Sequence, residues 1–178
     1  SKLCTTLLAT MIAESTPPFD LAPMFHVLTS KVPDTSGASL TVCIFDARQR
    51  MMHCWNCGDS QAILVFRTHY ILLTTSHRLQ DNARDRTDLV RRGVVLGLRS
   101  AGEKEAQDRP GRIASPSESG SLRAWPGGLM MSRAIGDKDC TFTTDFPDES
   151  VSLVDSPCTL VLCSDGVWDN VSFKRVLQ

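Results

Sequence analysis

Four carboxylates stand where apolar segments of this chain break off. Asp59 follows Gly58 after the run Met51–Cys57. Asp137 follows Gly136 after Leu129-Met130-Met131. Asp165 precedes Gly166 after Leu160–Cys163, and Asp169 lies one helical turn further on. A carboxylate at the end of a buried strand is costly unless a positive charge pairs with it. Glycine beside it lets the backbone come close to a ligand and offer a carbonyl. Hard divalent ions such as Mg²⁺ and Mn²⁺ take oxygen ligands of this kind. Asp beside Gly is also ordinary turn chemistry. The residues by themselves therefore leave two options open, a set of turns or an oxygen-ligand metal site.

Other reactive side chains point to less. Cys54-Trp55-Asn56-Cys57 has Cys-x-x-Cys spacing, but it falls in an expected strand and has no second ligand pair, so burial is expected rather than redox or zinc chemistry. His26, His53, His69 and His77 do not cluster along the chain and are expected on the surface or in packing. Arg84, Arg86, Arg91 and Arg92 make a basic face that is either simply solvated or helps recruit acidic or phosphorylated segments.

Residues 3–13 read as a helix that ends near Pro17-Pro18, and Met24–Leu28 as a short second one. Leu40–Phe45 and Met51–Cys57 read as a hairpin about Asp46–Arg50, and Ala62–Phe66 with Tyr70–Leu73 as another. Residues 81–92 suggest an exposed helix closed by Gly93, and Val94-Val95-Leu96 returns to strand. Residues 99–121, rich in Ser, Gly, Pro and charge, read as a surface loop. Thr159–Cys163 is the last strand, and Ser172–Leu177 begins another helix. Short antiparallel strands in the middle with helices at the ends predict an α+β layered domain spanning 1–178.

The chain has 178 residues, 42% hydrophobic and 22% charged, with a formal net charge of -1. That charge gives no pull toward nucleic acid or an anionic membrane. No apolar run reaches the ~18 residues of a membrane span. Seven cysteines, an odd number, sit partly in apolar runs, which suits reduced, buried thiols and an intracellular setting, cytoplasmic or nuclear. Both ends read as cut from a longer chain, since Ser1 already lies in a helix-like stretch and Gln178 closes another.

Several segments resemble the PPM (PP2C-type) phosphatases. Ser36-Gly37-Ala38-Ser39-Leu40 is similar to the small-residue stretch leading into one of that family's core strands. Asn56-Cys57-Gly58-Asp59-Ser60-Gln61-Ala62 resembles the Gly-Asp-Ser-Arg motif. Leu73-Thr74 with His77 resembles Leu-Thr-x-Asp-His, Ser76 standing where Asp is usual. Met131–Asp137 matches Ser-Arg-Ala-hydrophobic-Gly-Asp, and Ser164–Asp169 matches Ser-Asp-Gly-hydrophobic-Trp-Asp. The resemblance implies an α-β-β-α sandwich of two antiparallel sheets flanked by helices. It implies Mg²⁺ or Mn²⁺ in a cleft at one end, and hydrolysis of phosphoserine and phosphothreonine in proteins by a metal-activated water. Carried over by motif, Asp165 would ligate the core metals, while Asp169 and Asp59 would hold a further ion. Asp137 would support, Arg133 would brace the region, and Trp168 would pack. The expected partners are phosphorylated protein substrates, and the expected state is a monomer.

Two family motifs have no counterpart. The Asp-Gly-His-Gly motif that bridges the core metals is absent, the only Asp-Gly being Asp165-Gly166, and so is the final Asp-Asn motif. Asp169-Asn170 mimics the latter but belongs to the Trp-Asp motif. One core ligand does not hold a metal pair, so the isolated chain is expected to be inactive while a longer parent is an active enzyme. The alternative is a pseudophosphatase, a binding module that keeps the fold without catalysis.

Overall fold

Strand β3 (Met51–Cys57) buries both of its faces, and the layers of the molecule follow from that. Side chains alternate along a strand, so Met52 and Cys54 point one way while Trp55 and Cys57 point the other. Trp55 and Cys57 pack with Leu8, Leu21, Phe25 and Leu28 of the N-terminal helical region. Met52 and Cys54 pack against Ala62, Leu64 and Phe66, at and beside the strand of a second sheet. The result is helices on a sheet on a second sheet.

The computed structural model describes residues 2–13, 20–32, 36–98 and 121–177. Helix α1 is Lys2–Ala13 and α2 is Ala22–Lys31, with Pro23 in the first turn of α2, where its missing N–H costs nothing. The first sheet has the order β2-β3-β9, from β2 (Leu40–Asp46), β3 and β9 (Asp148–Leu153), all antiparallel. The β2–β3 turn is tied by the Asp46 carboxylate, which accepts from the backbone N–H of Arg48 at 2.8 Å and of Gln49 at 3.1 Å. The second sheet has the order β10-β4-β5, from β4 (Gln61–Val65), β5 (Tyr70–Leu72) and β10 (Thr159–Cys163).

Two short pairs complete the strands. One is β1 (Gly37–Ala38) with β8 (Ile135–Gly136), and the other is β6 (Val95–Leu98) with β7 (Leu122–Trp125). Helix α3 (Ala83–Arg91) covers the second pair, with Leu79, Leu89, Leu96, Leu122 and Phe142 in one cluster. Its N-cap is Asn82, whose side-chain oxygen accepts from the Asp85 N–H at 3.0 Å. Beyond the second sheet lie a short helix α4 (Asp165–Trp168) and a 3₁₀ turn, Phe173–Leu177. Phe173 stacks edge-on against Trp168 at 4.8 Å and touches Tyr70 of β5, so this end of the chain forms the outer layer.

The expected α+β class and antiparallel sheets are therefore present. The helix expected over 81–92 is shorter, and the one begun at Ser172 is 3₁₀. Strand β9 had no counterpart among the expected elements. The loop expected over 99–121 lies, apart from Ser121, outside the described residues. Among the described residues no helix is long and apolar enough to cross a membrane.

Candidate functional site

The site forms where the two sheets meet at one end. Strand pairing brings its parts together. Cys163 of β10 lies opposite Gln61 of β4, so the residues just after β10 sit beside those just before β4. Asp59, in the β3–β4 corner, thereby faces Asp165 at the start of α4. Asp169 follows one turn later, on the same side of the helix. Trp168 fixes α4 in place, its indole N–H donating to the Gln61 carbonyl at 3.1 Å.

The β3–β4 corner is held from within. Gly58 has φ 113°, and a Cβ there would run into Ser39. Its N–H donates to His77 Nδ1 at 3.0 Å, and its carbonyl accepts from the His77 N–H at 3.0 Å. His77 Nε2 is 3.0 Å from Asp148 Oδ2. A ring nitrogen that accepts from a backbone N–H carries no proton, so Nε2 bears it and donates to Asp148. His77 is fully buried, which makes it a structural tie between the corner and β9. Asn56, also buried, accepts from Thr41 Oγ1 at 2.7 Å and donates to the Thr75 carbonyl at 2.7 Å.

What the carboxylates surround is Arg78. Its backbone bridges to Met131, and its carbonyl accepts from the N–H groups of Asp81 and Asn82, so the side chain starts from a fixed point. Nη1 donates to Asp169 Oδ1 at 2.8 Å. Nη2 donates to Asp165 Oδ2 at 2.9 Å and to Asp169 Oδ2 at 3.2 Å. Nε lies 3.9 Å from Asp59 Oδ2, an ion pair without a hydrogen bond, and is a buried donor with no partner. The fork on Asp169 is the bidentate geometry that arginine provides and lysine does not.

The charges respond to one another. Burial pushes the Asp59 carboxyl above the usual carboxylate range, and repulsion from Asp165 adds to this, with Arg78 working against both. Burial works against the Arg78 cation, yet the hydrogen bond to Asp169 and the carboxylates around it outweigh that and hold it more firmly protonated. An open groove of about 570 Å³ borders the cluster, its wall including Arg78, Gln80, Leu122, Met130, Asp165 and Asp169.

The three residues expected at a metal site, Asp59, Asp165 and Asp169, are thus brought together. Their donor chemistry suits Mg²⁺ or Mn²⁺, but their spacing does not. Such an ion needs oxygens at roughly 2.1 Å around one point. Among the described residues no three carboxylate, imidazole or thiol groups could hold one ion. As arranged here the carboxylates fit a guanidinium and not a metal.

Asp137 lies elsewhere, at the β1–β8 pair, where its N–H donates to the Ser36 carbonyl at 2.9 Å and its carboxyl lies over Gly37. Arg133 braces β9 through Asp148, at 2.7 Å, and lies 3.8 Å from Asp85 of α3. Of the basic face, Arg86 donates to the carbonyls of Leu79 and Gln80 at 2.6 and 2.8 Å, and Arg92 to that of Phe142 at 3.3 Å. These two arginines therefore serve the fold. Cys54 and Cys57 are buried free thiols.

The protein phosphatase 2C family profile matches residues 9–178. "Probable protein phosphatase 2C 5" of Arabidopsis thaliana is 34% identical over 142 residues, 78% of this chain and 30% of that protein. "Probable protein phosphatase 2C 3" of Oryza sativa subsp. japonica is 34% identical over 147 residues, 81% of this chain and 27% of that protein. The chain thus spans about 30% of the length of the first of these curated relatives. Among solved structures, a C. elegans sex determining protein superposes with a TM-score of 0.70 at 18% identity, over 97% of this chain and 40% of that one. The catalytic domain of the serine threonine protein phosphatase PstP, solved in complex with two manganese ions, does so with 0.57 at 18% identity, over 99% and 64%. At such identities the superpositions speak for the fold, and the profile and the curated relatives speak for descent: the chain belongs to the protein phosphatase 2C family.

Proposed function

We propose that this chain is part of a Mg²⁺- or Mn²⁺-dependent phosphatase that hydrolyses phosphoserine and phosphothreonine in proteins. One observation carries this. Asp59, Asp165 and Asp169, from two motifs far apart in the chain, meet at one corner beside an open groove. A carboxylate cluster at the joint of two sheets has no packing role that apolar residues would not fill better. When bound, a divalent ion supplies a more acidic water and neutralises phosphoryl oxygens. The chain's own residues contribute three oxygen donors, a helix start that sets Asp165 and Asp169 one turn apart, and the groove that borders them.

The test is turnover of a phosphoserine peptide by the full-length protein. Hydrolysis is expected with Mn²⁺ and not in EDTA, and Asp165→Asn is expected to lower the rate by about 100-fold or more. Undiminished turnover in EDTA rejects the proposal. The isolated 178-residue chain, with its carboxylates closed on Arg78, is expected to turn over little or nothing.

Arg78 itself favours a second reading, a pseudophosphatase. A guanidinium seated among the carboxylates gives a charge-satisfied corner that needs no metal to stay folded. Retention of a phosphopeptide without turnover at saturating Mn²⁺ is the outcome that selects it.

A further inference from the structure

We propose that Cys43 and Cys54 form a peroxide-reactive dithiol, which a hydroperoxide converts to a reversible disulfide across strands β2 and β3. The strand register places them for it. Cys43 and Cys54 are direct partners in the antiparallel β2–β3 pair. The Cα atoms of such partners lie about 4.5–5.5 Å apart, inside the roughly 4.4–6.8 Å span of a disulfide, so the backbone need not move. Both side chains turn toward the second sheet, Cys54 in the buried cluster with Met52 and Leu64, and Cys43 packed against it. The Cys54 thiol donates to Cys43 Sγ at 2.8 Å, so no third side chain separates the sulfurs. Cys54 and Cys57 cannot close in the same way. Residues three apart on a strand face opposite sides, and Cys57 packs with Trp55 and the helices.

The two thiols are unequal, and the difference assigns their roles. Cys43 is partly exposed on the edge strand β2, whereas Cys54 is 1% exposed on the central strand β3. The hydrogen bond from Cys54 holds the Cys43 thiol below the ordinary thiol range, against the opposing effect of burial. Donating that bond, together with burial, holds Cys54 above it. The thiolate is the nucleophile, so Cys43 attacks first. Its sulfur bonds one peroxide oxygen, the O–O bond breaks, and the departing hydroxide takes up the proton that Cys43 gave up, leaving as water. Cys43 is then a sulfenic acid. The Cys54 proton no longer has a thiolate to hold it. The Cys54 sulfur bonds the Cys43 sulfur, the S–O bond breaks, and the hydroxyl leaves as water with the Cys54 proton. Two thiols have lost two electrons and two protons, and one hydrogen peroxide has become two waters. Burial pushes Cys57 up to about 12 and Cys140 up to about 11, so these thiols stay protonated and inert. The disulfide ties the edge strand β2 to β3, the strand that runs into the Gly58–Asp59 corner.

The experiment exposes the full-length protein to hydrogen peroxide at neutral pH, alkylates the thiols that remain, and maps the digest by mass spectrometry. Cys43 and Cys54 are expected to be lost together as alkylatable thiols. A cross-linked peptide about 2 Da lighter than the two reduced peptides combined should replace them, and dithiothreitol should restore both thiols. In Cys54→Ser, Cys43 is expected to stop at the sulfenic acid and be trapped by dimedone. In Cys43→Ser, Cys54 is expected to stay reduced. Should either variant fail to fold, the map of the unsubstituted protein decides alone. Full alkylation of Cys43 and Cys54 after a peroxide dose that consumes glutathione overturns the inference. So does a disulfide from Cys43 to Cys158, which packs against the same cluster, and so does dimedone on Cys54 in place of Cys43. None of these readouts depends on phosphopeptide turnover.

Discussion

Burying a histidine whole is tolerable only when both ring nitrogens are used, and His77 uses both, on Gly58 and Asp148. The hydrogen bond from His77, helped by Arg133, holds the Asp148 carboxyl below the usual carboxylate range against the opposing effect of burial. A depressed native pKa adds stability wherever the unfolded chain would bind more protons. That contribution is complete above the ordinary Asp value of about 3.9 and disappears as pH falls through the lower native value. Asp148→Asn should therefore cost a constant, small amount in urea melts from about pH 7 down to pH 5, and the gap should close below about pH 4. A gap that widens toward acid would show the sign to be wrong. Solvent reaches this carboxyl, so the effect is modest. At this scale the sequence revealed the acids and hid their partner. Asp59, Asp165 and Asp169 stand in motifs, whereas Arg78 stands in none. The one available signal was energetic, since buried-end carboxylates demand a cation, and it did not say which of the chain's arginines would answer.

Elements were legible where a run of apolar residues or a chemically explicit turn marks them. The hairpin β2–β3 and strand β10 fall where apolar runs and the Asp46 turn put them. Strand β9 was not legible, because Asp148-Glu149-Ser150-Val151-Ser152-Leu153 is an edge strand whose Val151 and Leu153 are exposed and whose partner, β3, lies far away in sequence. Its strand character comes from that partner and not from its own composition. The β1–β8 pair is equally tertiary in origin and is fixed by glycine. Gly136 has φ 89°, and a Cβ there would run into the Ser36 carbonyl. Gly136→Ala is expected to destabilise by more than about 1 kcal/mol, through positive φ and the clash together. Urea denaturation with an unchanged slope is the measurement, and a neutral result would mean that this corner relaxes freely.

Across the whole molecule, the acidic corner depends on contacts between distant parts of the chain. The register of β10 on β4, Cys163 against Gln61, must exist before Asp59 can face Asp165. Closing so large a loop is slow and is rewarded only once the sheets have met. The electrostatic clasp consequently has nothing to grip in the folding transition state and tightens afterwards. Substituting Arg78 in metal-free protein should then quicken unfolding by roughly the whole loss in stability and leave the refolding rate where it was. Stopped-flow kinetics across a denaturant series would reveal a slowed refolding limb if the clasp instead formed early. What the Arg78 contact sets, on this view, is a lifetime: how long the segment after β10 stays fastened beside the segment after β5 once the two have met.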